Sequence, residues 1–347
     1  MSFNSHELSD SEKQLAEAIF RIMLNDTALS VRKALSENLK SNNEIPHDVV
    51  VQMAHDVDEV AIPIISYSQI LSDEDLISVV KTKNENKQVA VASRSIVNEI
   101  VTEVLADEGT EKAVAVMVGN QGAKISDTTL NKVVEKFKDS DIVKNPLALR
   151  NELPLVVVEK LISMVSQDLK KHLVKSYKIS NEEAEKITTN SREKVTVSAA
   201  YMATDSEVRG LIEQLSNENK LTPSIIFRSL CMGDVKFFEY SMLKLTSLPV
   251  HNVRVLIYDS GELGLKGLFD KARLPAILFP AMKAAIEVAL ETELDGGDKD
   301  VERFRRRVAE RVLTKLDNSG IDLQDSDVEY ILDKIDGLPA SFLEIFK

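Results

Sequence analysis

Apolar residues recur at every third or fourth position along most of the chain, which is the spacing of one face of an α-helix. The clearest runs are LVVVEKLISMVSQDLKKHLV (155–174) and FPAMKAAIEVAL (279–290). Strict alternation of apolar and polar residues is typical of a half-buried strand, and its main example is KVTVSA (194–199). Both flanks of that segment have helical spacing. The pattern therefore predicts an all-α protein in which residues 194–199 are helical.

Helix-start signals separate these runs. Three hydroxyl residues precede a glutamate with the spacing of a capping box: Ser9 with Glu12, Ser180 with Glu183, and Thr204 with Glu207. Pro223 and Pro249 suit the first turn of a helix, where a missing N–H costs nothing. These signals divide the chain into many short helices.

The apolar spacing of residues 48–68 recurs 27 positions later in residues 75–95. Three residues that can cap the second helix of a helical pair lie at similar intervals: Asp26, Asp56 and Asn84. A helical pair that cannot bury its apolar face alone must pack on its neighbour, and only the apolar character of that face is then constrained. The repetition predicts a right-handed, HEAT-like α-solenoid that fades beyond residue 110. The alternative is an ordinary helical bundle with accidental similarity.

We expect three parts. They are a HEAT-like helical repeat domain (1–178), a compact helical module (179–294) and a short helical C-terminal extension (295–347). Four glycines of the second part are predicted to break or tighten short helices: Gly233, Gly261, Gly264 and Gly267. Aromatic residues make up only 5% of the chain and Trp is absent, which favours helical packing over a β-sandwich.

Three segments carry a resemblance to a known family. They are NELPLVVVEKLISMVSQDLKKHLVKSY (151–177), LTPSIIFRSLCMGDVKFFEYSMLKLTSLP (221–249) and VRVLIYDSGELGLKGLFDKARLP (253–275). In sequence and in order they are similar to a bacterial family known as domain of unknown function 2336. The resemblance covers roughly residues 20–290. It implies a helical protein with HEAT-like N-terminal repeats and with no assigned enzymatic activity.

Charge and composition limit the classes of function. A net charge of −13 disfavours general nucleic-acid binding. Cys231 is the only cysteine, which excludes an intrachain disulfide and fits a reducing compartment. The N-terminus lacks the pattern of a secretory signal, and no apolar run is long enough to span a membrane. We therefore expect a cytoplasmic protein without a membrane span.

Candidate catalytic groups are few. The doublets His47-Asp48 and His55-Asp56 raise the hypothesis of a metal-dependent phosphohydrolase. The other histidines (6, 172 and 251) lack the spacing of further metal ligands. Cys231 lies in an apolar run, which predicts a buried and unreactive thiol. We predict no catalytic residue, metal or cofactor.

The segment VERFRRRVAERVLTKL (301–316) concentrates positive charge. On a helix, four arginines fall within an arc of about 140°: Arg303, Arg306, Arg307 and Arg311. The opposite side carries the apolar residues Val301, Phe304, Val308 and Val312, which should face the core. Guanidinium groups suit phosphate oxygens, so this arginine face predicts an anionic ligand. The alternative is a solvated face whose arginines pair with nearby carboxylates.

These patterns favour a non-catalytic interaction or regulatory scaffold that binds a protein partner through its helical-repeat surfaces. The alternative is a sensor that binds an anionic nucleotide, for example a cyclic dinucleotide, through the arginine face. The metal-dependent phosphohydrolase is a third hypothesis.

Overall fold

The computed structural model describes residues 10–26, 28–258 and 262–291, together with positions 303, 304, 306–308, 310–312 and 314. Regular secondary structure in these residues is helical, apart from one isolated bridge between Val97 and Ala123. The all-α prediction is therefore confirmed. The chain divides into two compact units, Met1–Leu153 and Pro154–Lys347.

The first unit contains ten of the described helices. They are α1 (Asp10–Asp26), α2 (Leu29–Leu39), α3 (His47–His55), α4 (Asp58–Tyr67), α5 (Asp73–Lys81), α6 (Glu85–Ala92), α7 (Glu99–Glu108), α8 (Glu111–Gly119), α9 (Asp127–Lys136) and α10 (Asp141–Ala148).

Consecutive hairpins of this unit stack in two layers. The second helices of the pairs form one row, in which α2 contacts α4, α4 contacts α6, α6 contacts α8 and α8 contacts α10. The first helices, α1, α3, α5, α7 and α9, contact one another in the same order. Each hairpin thus buries its apolar face on its neighbours, as a solenoid requires. The stacking continues beyond residue 110, where the repeated spacing of the sequence weakens, because α8, α9 and α10 extend both layers.

The repeat length differs between the two layers. The predicted step of 27 holds for the second helices, where buried Ile64 and Ile65 of α4 correspond to Val91 and Ala92 of α6. In the first helices the step is 26, since buried Val50 corresponds to Leu76. Two residues join α3 to α4, whereas three join α5 to α6, and the extra residue accounts for the difference.

Only one of the three predicted caps begins a second helix. The Asn84 side chain accepts a hydrogen bond from the Lys87 amide at 3.1 Å and caps α6. Asp56 instead ends α3 and binds Arg32, while Val57 precedes α4. Asp26 is the last residue of α1, and Ala28 precedes α2.

Polar side chains connect successive hairpins through the backbone. Five of them donate to backbone carbonyls at the C-terminal end of a helix in the preceding hairpin. Lys87 donates at the end of α3, Arg94 at the end of α4, Asn120 at the end of α6, Lys136 at the end of α7 and Arg150 at the end of α8. These carbonyls have no partner within their own helix. The side chain of the next hairpin therefore completes the hydrogen bonding of the previous one.

The second unit contains the remaining described helices. They are α11 (Leu155–Tyr177), α12 (Asn181–Tyr201), α13 (Asp205–Asn217), α14 (Pro223–Cys231), α15 (Val235–Thr246), α16 (Val250–Tyr258), α17 (Glu262–Lys271) and α18 (Phe279–Glu291), with a 3-10 turn at Ala276–Leu278. The predicted helix at 194–199 is confirmed as part of α12.

Local signals in this unit have mixed outcomes. The capping boxes of Ser180 and Thr204 are present. Ser9, the predicted cap of the box with Glu12, lies outside the described residues. Gly233 has φ +85° and separates α14 from α15. The prediction of inter-helix turns at Gly264 and Gly267 is wrong, since both lie inside α17. Gly261 is outside the described residues.

Helix α11 belongs to the second unit. It packs on α12 and α13, so the boundary between compact units falls at Leu153 and not at the expected residue 178. Its Leu155 joins a core that includes Phe227, Phe237 and Phe269. The expected boundary at 294 and 295 lies outside the described residues.

Candidate functional site

The predicted arginine face lies on a helical segment whose apolar side is buried. Phe304, Val308 and Val312 are all at most 3% exposed and join the core of the second unit. Val301 lies outside the described residues. On the other side, Arg303, Arg306 and Arg307 are exposed, and Arg311 is half-buried. The predicted orientation of this segment is therefore confirmed for the described positions.

Arg306 and Arg311 pair with carboxylates. Arg306 Nε lies 3.0 Å from Glu310 Oε1, one turn along the same segment. Arg311 donates to Glu291 Oε2 at 2.6 Å, and this hydrogen bond raises the pKa of the arginine. Arg311 thus joins its segment to α18. The positive field of the arginine face is partly compensated, and its role in binding an anion stays a prediction.

The His-Asp doublets contact neighbouring repeats. His47 Nε2 lies 2.6 Å from Asp75, and Asp48 accepts a hydrogen bond from Arg21 at 2.8 Å that lowers the pKa of the carboxyl. In the other doublet, His55 lies 2.9 Å from the Ser78 hydroxyl. Asp56 and Arg32 form a bidentate pair. Each doublet therefore ties its hairpin to adjacent ones.

No group of three or more His, Cys, Asp or Glu side chains in the described part of the chain could hold a metal ion. Cys231 is 1% exposed, as its apolar surroundings predict.

A groove that we did not predict runs between α11 and α12. It has a volume of about 610 Å³. Side chains from one face of each helix line it: Ser163, Ser166, Gln167, Lys170, Lys171, Val174 and Lys175 of α11, and Asn181, Glu185, Thr188, Thr189 and Arg192 of α12. Lys170 forms an ion pair with Glu185 across the hairpin. We call this site the α11–α12 groove.

Buried polar contacts hold one end of this groove. The Ser163 hydroxyl donates to Glu159 at 2.7 Å and accepts from Lys220 at 3.0 Å. Glu159 is 1% exposed and also accepts a hydrogen bond from Gln214 at 2.8 Å. Burial of a carboxylate is costly unless it accepts such hydrogen bonds. The wall formed by α11 is therefore fixed to the helices beneath it.

A second unpredicted feature lies on the second-helix layer of the repeat unit. On α4, α6 and α8, five apolar side chains are only partly buried: Ile62, Pro63, Val89, Ala115 and Val116. Their helices touch in that order, so these residues form one strip across three repeats. We call it the α4–α6–α8 face.

An acidic border accompanies this strip. The first residue of each helix is a carboxylate, namely Asp58, Glu85 and Glu111. Acidic residues at this position stabilise the helix dipole. Here they also place negative charge along one edge of an apolar surface. Lys112, which lies 3.8 Å from Glu85, offsets part of that charge.

A family comparison covers both units. The profile of a bacterial family described as "Uncharacterised protein conserved in bacteria (DUF2336)" matches residues 60–319, more than half of the chain. The chain belongs to that family. No curated protein and no solved structure matches this chain. The matched DUF2336 region includes the α4–α6–α8 face, the α11–α12 groove and the arginine face.

This DUF2336 chain has no helix, among those described, that combines the length and apolar character needed to cross a bilayer.

The sequence contains a signal for the α11–α12 groove. Lys170, Lys171 and Lys175 recur at helical spacing with Ser163 and Ser166, so they share a face of a long helix. The apolar residues of the same helix dominate its sequence pattern, so this polar face is easily overlooked. The partner residues on α12 come from another helix, and only the pairing of the two helices brings them together.

Proposed function

We propose that the chain is a non-catalytic, cytoplasmic interaction protein with a regulatory role, and that its repeat unit binds a helical segment of a partner protein. The α4–α6–α8 face carries this proposal. Partly exposed apolar residues continue along it over three successive hairpins.

The chemistry of this face selects a type of partner. Ile62, Val89 and Val116 offer apolar contact area, and a partner that covers them removes that area from water. A rigid row of helices leaves a shallow groove between neighbours, which suits an amphipathic helix. The acidic border at Asp58 and Glu85 favours basic residues beside the apolar face of that helix. The proposed partner segment is therefore an amphipathic helix with basic flanks.

A site-specific photo-cross-linking experiment tests this proposal. A photoreactive amino acid replaces Val116 on the α4–α6–α8 face or, as the matched control, Val104 on the first-helix layer. Both residues are half-buried valines of the repeat unit. After irradiation in cells, mass spectrometry identifies the cross-linked peptide. We expect position 116, and not position 104, to capture one segment with apolar helical spacing and basic flanks.

The captured segment is then synthesised, and its affinity for the purified chain is measured. V116R should weaken binding by tenfold or more, on the order of the loss of one buried apolar contact together with the burial of a charge. V104R should leave the affinity unchanged. Equal capture at both positions, or binding that V116R does not alter, would exclude this face.

The arginine face supports a second candidate function, the binding of an anionic nucleotide. Arg303, Arg306 and Arg307 are exposed on one side of their helical segment, which favours a phosphate ligand. Titration with a cyclic dinucleotide should show saturable binding, and the double variant R303A/R307A should abolish it. Absence of binding at a high concentration of the dinucleotide would remove this candidate.

A further inference from the structure

We propose that the α11–α12 groove is a binding site for a small molecule that bears phosphate groups and has about the size of a mononucleotide. This site is separate from the α4–α6–α8 face and from the arginine face. Its residues come from α11 and α12 alone.

The first argument is charge. Four cationic side chains line the groove, Lys170, Lys171, Lys175 and Arg192. Lys170 pairs with the lining carboxylate Glu185, and Lys171 lies 3.4 Å from Asp168 beside the groove, so two more cations than carboxylates are present. The whole chain carries a net charge of −13, so this groove departs from the general sign of the protein. Cations held together on two facing helices repel one another, and an anion between them relieves that repulsion. The charge therefore favours a ligand with at least two negative charges.

The second argument is shape. Two paired helices usually bury apolar side chains where they face each other. Here the facing positions include Ser163, Ser166, Thr188 and Thr189, whose short side chains leave space between the helices. The resulting volume of about 610 Å³ lies within the range of small-molecule sites and exceeds the needs of inorganic phosphate. The hydroxyl and amide groups around it suit a polar ligand.

The third argument is rigidity. The α11 wall is anchored at Ser163 through Glu159 and Lys220. On α12, Glu193 follows the groove residue Arg192 directly. Its buried carboxylate accepts hydrogen bonds from Thr222 at 2.8 Å and Ser224 at 2.6 Å. Because both helices are fixed from below, ligand binding need not order the backbone, which lowers its entropic cost.

Isothermal titration calorimetry of the full chain tests the site. The probes are inorganic phosphate, ADP, ATP and a cyclic dinucleotide, each measured at low and at high salt. We expect saturable binding of at least one nucleotide, weaker binding of inorganic phosphate, and a loss of affinity at high salt because screening weakens the ion pairs.

Three variants locate the binding site. K175A/R192A removes two cations of the groove and should weaken nucleotide binding by roughly tenfold or more. S166W keeps every charge but fills the groove, and should have a similar effect. K186A changes the same type of charge at an exposed position of α12 outside the groove, and should leave binding unchanged. Thermal unfolding of each variant checks that it is folded.

The outcomes separate this site from the other candidates. Absence of binding by every probe would overturn the proposal. So would nucleotide binding that survives S166W, or an equal loss in K186A, since either would place the anion elsewhere. Binding that R303A/R307A abolishes and that K175A/R192A leaves intact would assign the ligand to the arginine face instead.

Discussion

Asp234 is a buried carboxylate that caps α15. Its Oδ1 atom accepts a hydrogen bond from the Phe237 amide at 3.0 Å. Its Oδ2 atom is buried and has no hydrogen-bond partner among the described residues. Burial raises the pKa of Asp234 to about 6; the Phe237 amide and Lys236 oppose this shift, and Asp205 adds to it. Ionisation of Asp234 therefore costs stability at neutral pH.

The size of this cost follows from the pKa difference. The ordinary pKa of the group is 3.8 and its folded value is about 6. Between these values the folded state binds more protons than the unfolded state. The stability that the protonated Asp234 gives to the folded state is thus fully present below about pH 4 and is lost as the pH rises through 6. The free energy of unfolding should fall by roughly 2 to 3 kcal/mol over this interval because of Asp234 alone.

The variant D234N isolates this effect. Asparagine keeps the acceptor that caps the helix but cannot ionise. Urea unfolding of both proteins at several pH values from about 4 to 7 gives the difference in their free energies of unfolding. Other titrating groups cancel in that difference. D234N should gain roughly 2 to 3 kcal/mol relative to the original protein as the pH rises. Parallel pH profiles would refute the reasoning.

Three other substitutions and one control test the packing. G122A should destabilise the repeat unit by about 2 kcal/mol or more, since the new Cβ would lie 2.0 Å from the carbonyl oxygen of Ser95. G267A, inside α17 with no atom within 4 Å of the new Cβ, should stabilise by about 0.5 to 1 kcal/mol. N120D replaces the amide that donates to the carbonyls at the end of α6 with a carboxylate, which cannot donate, and should lower the free energy of unfolding by about 2 kcal/mol or more. Its control, N145D at an exposed site, should leave that free energy unchanged. Chemical denaturation measures all four proteins, and an unchanged midpoint for G122A or N120D would contradict the contacts described.

Local signals in the sequence predict much of the fold. The capping boxes at Ser180 and Thr204 and the helix at residues 194–199 depend on nearby residues, and all three are present. Repetition of apolar positions predicts the stacking of hairpins, because each hairpin must cover the next. Both kinds of signal are contained in short stretches of sequence.

Contacts between distant residues are harder to predict. Asp56 is of a residue type that commonly caps helices, but its side chain pairs with Arg32 of the preceding hairpin. One additional residue between α5 and α6 changes the repeat step, and spacing alone does not show where it is inserted. The α11–α12 groove depends on Glu185 lying opposite Lys170, which follows from the register of the hairpin and not from either helix alone.

The described side-chain hydrogen bonds to helix ends mostly run from one hairpin back to the preceding one, although Gln88 also donates to the Glu108 carbonyl at the end of α7 in the following hairpin. Lys87, Asn120 and Arg150 each supply hydrogen bonds to a helix that was synthesised before them. During translation, a hairpin emerges with open carbonyls and becomes complete only when the following hairpin joins it. Deletion of hairpins from the C-terminal side of this unit would reopen such carbonyls in the hairpin left at the end. Deletion from the N-terminal side would remove none of these donors from the hairpins that remain. The two ends of the repeat unit therefore differ, and removal of hairpins should destabilise it less from the N-terminal end than from the C-terminal end.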